Sequence, residues 1–185
     1  NIPTIAAVKP YSPLELQGRD LYIREGCVSC HSQMIRPFRS EVERYGEYSK
    51  AGEFVYDHPF QWGSKRTGPD LARIGGKYPD SWHFYHFLDP SSMAEGSIMP
   101  HYPFLYKNDL DISSTKSKIH AMRQMGVPYP HNYEDIANDD LKKQALEIVK
   151  NLKAADIQIE PSKEIISLIA YLQRLGKDIK VQAQK

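Results

Sequence analysis

The sequence predicts an all-α domain broken by long irregular segments. Apolar residues recur at helical spacing in several stretches, opened by capping residues and closed by glycine or proline. No stretch alternates strand-like and helix-like patterns as a βαβ unit would. Thirteen prolines and twelve tyrosines among 185 residues point to irregular backbone pinned by aromatic rings.

Residues 1–12, with Pro3 and Pro10, show no period and read as an arm or tether. Ser12 is placed as an N-cap, Pro13 suits the first helical position and Glu15 completes a capping box. Leu14, Leu16, Leu21, Tyr22 and Ile23 give this helix an apolar face, and Gly26 ends it. Gly18 lies inside the helix. Glycine there costs about 1 kcal/mol against alanine, so close approach of a second helix is expected.

Cys27-Val28-Ser29-Cys30-His31 follows directly. Two cysteines two residues apart with an immediate histidine form the attachment pattern of a c-type haem. Each thiol can add to one porphyrin vinyl, and His31 can offer one axial nitrogen to iron. A redox dithiol would want a βαβ setting. A closed zinc site needs four ligands, and the chain has two cysteines in all. A disulfide at this spacing closes a very short loop and staples little. One covalently bound haem c is therefore the expected cofactor.

Residues 32–66 read as a long excursion with a short polar helix over 41–50. Tyr45, Tyr48, Phe54, Tyr56, Phe60 and Trp62 either face the haem or form a satellite cluster of their own. In Thr67-Gly68-Pro69-Asp70-Leu71, the Pro69 carbonyl is assigned to His31 Nδ1, because an axial histidine needs its second ring nitrogen held. Leu71, Ile74, Gly75 and Gly76 read as a helical turn and its stop. A helix from Asp80 to Leu88 carries His83 and His86, three apart; such a pair can face one metal but is more often partly exposed surface.

Ser97-Ile98-Met99-Pro100 is a rigid, proline-held loop suited to bring a sixth ligand. Met93 lies in the same loop and is its rival. Met34 is too near His31 in sequence, and Met122 and Met125 fall in a later insertion. Helices are expected over 113–125 and 139–153, the second amphipathic. Ser162 is expected to cap a last apolar helix that Gly176 stops, crossing the Gly18 helix with Tyr171 in the gap. Residues 177–185 read as a frayed tail.

The stretches Tyr11 to Arg19, Gly26 to Pro37, His58 to Leu71 and Gly96 to Pro100 together resemble the monohaem cytochrome c subunit (subunit II) of cbb3-type cytochrome c oxidases. The resemblance implies a class I cytochrome c-like fold over residues 13–176, with long loop insertions at about 32–66 and 107–160, the latter an extra helical segment. It implies Met99 as the partner of His31 on the iron. It also implies a place on the periplasmic side of the bacterial inner membrane, with an N-terminal anchor absent from this sequence. Electrons would pass to the haem-copper catalytic subunit, fed by a dihaem cytochrome c subunit. Residues 107–160 carry no recognised motif.

The bulk numbers agree with such a role. A net charge of +1 argues for neither nucleic acid nor a strongly acidic partner. Mean hydropathy is −0.56. No run approaches the ~20 apolar residues of a spanning helix. The chain opens at Asn1 without an initiator methionine or signal pattern, and is expected to be a mature or trimmed form. Arg36, Arg39, Trp62, Arg66 and Arg73 are candidates to bond the haem propionates. Three alternatives remain at this point: a soluble periplasmic electron carrier, a haem enzyme or gas sensor with an open sixth site, and a structural oxidase subunit whose haem is incidental. No catalytic centre is evident, so an electron-transfer subunit of an oxidase is expected rather than its oxygen-reducing site.

Overall fold

Helix α1, Pro13–Arg24, is the element around which the others are arranged. The computed structural model describes residues 5–182; residues 1–4 of the expected arm and 183–185 of the expected tail lie outside them. The capping box forms as the sequence implies. Ser12 Oγ accepts from Glu15 N–H at 3.3 Å, and Glu15 Oε2 accepts from Ser12 N–H at 2.7 Å. At the other end Gly26 adopts φ 68°, a left-handed value that glycine reaches without strain.

Helix α7, Glu164–Arg174, crosses α1 at Gly18. A Cβ built on Gly18 would overlap the carbonyl oxygen of Ser167 and lie 2.9 Å from Tyr171 Cβ. The two backbones therefore meet with no side chain between them. Tyr171 fills the space beside the crossing, fully buried, its ring 5.4 Å from that of Tyr22.

The remaining helices are α2 Arg39–Tyr45, α3 Asp80–Leu88, α4 Pro90–Met93, α5 Thr115–Gln124, α6 Tyr133–Lys153 and α8 Lys177–Gln182. Single 3-10 turns form at Cys27–Ser29, Ala51–Phe54 and Pro103–Tyr106. No strand forms among the described residues, apart from an isolated bridge between Asp109 and Lys163. The all-α expectation holds.

Two apolar cores flank α1. The main one joins Leu14 and Tyr22 to Phe84 and Phe87 of α3, Leu141 to Leu152 of α6, and the apolar length of α7. A smaller one gathers Leu16, Ile119, Met122, Val127 and Ala137, closed over by Tyr11, Tyr56, Tyr129 and Tyr133. Helix α6 contributes to both, so the inserted segment is part of the packed body.

Several boundaries differ from expectation. The helix expected over 41–50 runs Arg39–Tyr45 and stops at Gly46, φ 104°. Helix α6 starts at Tyr133 instead of Asp139; Asn132 turns the chain at φ 60° and Tyr133 stacks on Tyr129 at 5.6 Å, contacts that a polar first turn does not announce. Ser162 does not cap α7. Its hydroxyl donates to Asp109 Oδ1 at 2.7 Å, and Lys163 occupies the N-cap position without a capping bond. The segment expected to fray forms α8 as far as Gln182; Ile179 is buried and Asp178 accepts from Lys9 N–H at 2.8 Å.

Candidate haem site

The pentapeptide forms one tight turn after α1. Cys30 N–H and His31 N–H both donate to Cys27 O, at 3.1 and 2.9 Å. The two cysteines are not bridged to each other; Cys27 is half-buried against the main core and Cys30 is exposed. Burial pushes the unmodified Cys27 thiol up to about 12. Among the described residues no three His, Cys, Asp or Glu side chains gather as a metal-ligand group.

Residues 68–71 run alongside 30–34 and fix the histidine. Gly68 N–H donates to Cys30 O at 3.0 Å, and Leu71 N–H to Ser32 O at 2.8 Å. His31 Nδ1 lies 2.8 Å from Pro69 O. A carbonyl only accepts, so Nδ1 carries the proton and Nε2 keeps its lone pair. Burial holds the His31 pKa below its ordinary value, partly countered by the Pro69 bond and the Asp70 charge. Gly68 makes room for the ring: a Cβ there would overlap His31 Cε1 and sit 2.8 Å from both ring nitrogens.

Asp70 locks this pairing. Its Oδ2 accepts from Ser32 Oγ at 2.6 Å and from Met34 N–H at 2.9 Å, and its Oδ1 accepts from Ala72 N–H at 2.8 Å. Arg66 reinforces it from outside, donating to Ser32 Oγ at 2.7 Å, Met34 O at 2.9 Å and Glu41 Oε2 at 2.7 Å. Sequence reasoning gave Asp70 no role, although its place beside Gly68-Pro69 in the quoted motif was the available signal.

The methionine loop is clamped to α3 at both ends. Asp89 caps α4 by accepting from Ser91 and Ser92 N–H. On the far side Tyr102 N–H donates to Phe87 O at 3.0 Å, and His101 Nδ1 lies 2.9 Å from Leu88 O. Met99 packs against the main core, as do Cys27, Val28, Leu71 and Tyr102. Met93 ends α4 and belongs to neither core. Met122 is buried in the smaller core, and Met125 is exposed. His83 is buried with its Nε2 unpartnered, while His86 stacks on Trp82 at 4.5 Å.

In the excursion, Trp62 stacks on Phe60 at 4.5 Å and meets Phe54 edge-on at 5.6 Å, while Tyr56 helps close the smaller core. Each arginine considered for the propionates has a carboxylate partner within the chain: Arg36 and Arg66 meet Glu41, Arg39 meets Glu43, and Arg73 bonds both oxygens of Glu53. Trp62 Nε1 differs, being buried without a hydrogen-bond partner. An unpaired buried donor costs about 1–3 kcal/mol, so a carboxylate brought to it by a cofactor would relieve that cost.

Paired thiols in one turn, a neutral histidine held from behind and a clamped methionine loop, on an all-α frame, define a cytochrome c-type domain. The family model described as Cytochrome C oxidase, mono-heme subunit/FixO matches residues 1–179, and the chain belongs to that family, the haem-containing mono-heme subunit of cbb3-type cytochrome c oxidase. Comparison with curated proteins gave no match. Among the described residues no helix is long and apolar enough to cross a membrane.

Proposed function

We propose that this chain passes single electrons to the haem-copper catalytic subunit of the oxidase, from the periplasmic side of the inner membrane. In this reading a dihaem cytochrome c subunit is the donor, and an anchor on the amino-terminal side links the domain to the membrane. One haem c would be held through thioether bonds at Cys27 and Cys30, with His31 Nε2 and the Met99 sulfur as the ligands to its iron.

The observation that carries the reading is the setting of His31. Its Nδ1 is held by Pro69 O at 2.8 Å, and Gly68 leaves its ring unobstructed. Such a haem supplies an iron that gains or loses one electron without breaking a bond. The residues of the chain keep its surroundings constant. Pro69 sets the plane of the imidazole and Asp70 keeps Pro69 in place. The bonds at Tyr102 and His101 hold the Met99 loop, which limits rearrangement between oxidation states.

The test is the purified protein made where cytochrome maturation operates. It is expected to show a reduced-minus-oxidised c-type spectrum and a near-infrared sulfur-to-iron band. Met99→Ala should abolish that band while Met93→Ala leaves it. Loss in Met93→Ala with persistence in Met99→Ala would reverse the ligand assignment. A colourless product with two unmodified thiols would overturn the reading as a whole.

A further inference from the structure

A second feature lies on the outer side of the His31 loop. Gly68 and Pro69 form one wall of a groove of about 360 Å³, whose other wall is helix α2. Three guanidinium groups line it, from Arg36, Arg44 and Arg66, against one carboxylate, Glu41. Glu41 is already consumed. Arg66 and Arg36 both bond it, and together they hold its carboxyl down to about 2. Arg44 pairs with no carboxylate among the described residues. Its guanidinium lies 5.1 Å from the centre of the Tyr45 ring, and that of Arg66 lies 5.1 Å from the same ring. Stacking of this kind limits the freedom of both guanidinium groups; Arg66 spends its donors on Ser32, Met34 and Glu41, whereas Arg44 keeps its N–H edges free to donate.

The rim has the composition of an interface. Phe38, which precedes helix α2, is 57% exposed, with the groove-lining Arg36 over its ring at 5.4 Å. An exposed aromatic residue beside arginines is the pairing of side chains that anchors protein partners. Pro69 ties the groove to the redox site, since the residue that walls it also bonds the axial histidine candidate. A partner seated there comes close to that histidine with one residue between.

We propose that this groove is a docking surface for a redox partner that presents carboxylates, with Arg44 as its free cationic contact. The proposal rests on the electron-transfer reading above. In the docked pair one electron leaves the reduced centre of one protein and is gained by the oxidised centre of the other; no proton or bond moves.

The experiment uses the assembled oxidase containing the haem-loaded chain, with Arg44→Glu and Arg44→Lys variants. Reduction of the c-type haem is followed by stopped flow, and retention of the chain by gel filtration, at about 20 and about 500 mM salt, because exposed charge contacts act mainly on association and fade with screening. Arg44→Glu is expected to slow reduction about tenfold at low salt and to release the chain, with Arg44→Lys near the parent and the gap closing at high salt. Rates and retention of Arg44→Glu within about twofold of the parent at both salts would overturn the proposal. So would a loss of haem content or a changed near-infrared band in Arg44→Glu, which would place the groove in the cofactor's own site. Binding of the parent chain to phosphatidylglycerol vesicles that Arg44→Glu loses, with retention unchanged, would assign the groove to phosphate headgroups and equally overturn it. Failure of the parent haem to be oxidised during turnover would instead sink the electron-transfer reading.

Discussion

Helix α1 is gripped differently on its two sides. Towards α7 the contact is backbone on backbone at Gly18, backed by the rings of Tyr22 and Tyr171. Towards α5 it is a small apolar cluster with a polar chain: Lys118 Nζ donates to Gln17 Oε1 at 2.6 Å, and Gln17 Nε2 donates to Thr115 Oγ1 at 2.8 Å. The first contact has no slack, because a helix backbone cannot step aside. The second is made by side-chain tips that can re-aim. The tight side continues into the pentapeptide: Tyr22 Oη donates to His31 O at 3.2 Å, and Tyr171 Oη accepts from Gln33 Nε2 at 3.0 Å. Precision is concentrated where the axial histidine candidate is held, and tolerance where the inserted helices attach.

The sharpest way to break this contrast is Gly18→Ala. The added methyl group overlaps the Ser167 carbonyl, so the loss of stability should be about 3 kcal/mol or more in urea denaturation of the haem-loaded protein. A loss below about 1 kcal/mol would mean that α7 shifts freely. Asp70→Ala comes next. It strips three acceptor bonds and removes the Asp70 carboxylate 3.4 Å from the Arg66 guanidinium, for about 2–3 kcal/mol, and it should also weaken the Met-to-iron band by loosening His31. An unchanged spectrum would confine Asp70 to folding.

A pH series sharpens the comparison on the tight side. His83 is buried on α3 with Nε2 unpartnered, and burial lowers its pKa to about 4, with Asp80 opposing and His86 adding to the shift. The folded value lies below the unfolded one, so the unfolded chain binds more protons between them. Stability is then fully present above about pH 6.5 and falls as pH drops towards 4, by about 2 kcal/mol at pH 5 from this group. The denaturation midpoint of His83→Leu should lose much of that slope; an equal slope would assign it to other groups. The smallest effect is expected on the adjustable side. Thr115→Val should cost about 1 kcal/mol in the same assay and leave the haem spectrum untouched. A cost as large as that of Gly18→Ala would erase the difference between the two sides.

Much of the site is readable along the chain. The pentapeptide spacing, the Ser12–Glu15 box and the Pro69 acceptor depend on a few neighbouring residues or on groups whose chemistry allows one role. Even the α1–α7 crossing is foreshadowed by Gly18 with Tyr171, because a glycine inside a helix needs a reason. Less legible are the charged groups. Arg36, Arg39, Arg66 and Arg73 look alike in sequence, yet each has a carboxylate partner, while Arg44 is left over. Ser162 shows the same limit: a hydroxyl before an apolar run suits a cap, but Asp109 claims it.

By itself the sequence determined the covalent chemistry available at residues 27–31, the helix-forming stretches and the residue that holds His31 from behind. These follow from bond geometry, dihedral preference and the inventory of donors and acceptors, all of them local. Tertiary structure alone decided that Asp70 binds the two halves of the loop, that α6 starts at Tyr133 and serves two cores, and which guanidinium stays free. A charged side chain is captured by whichever partner the folded chain brings within about 3 Å, and that distance has no counterpart in sequence separation.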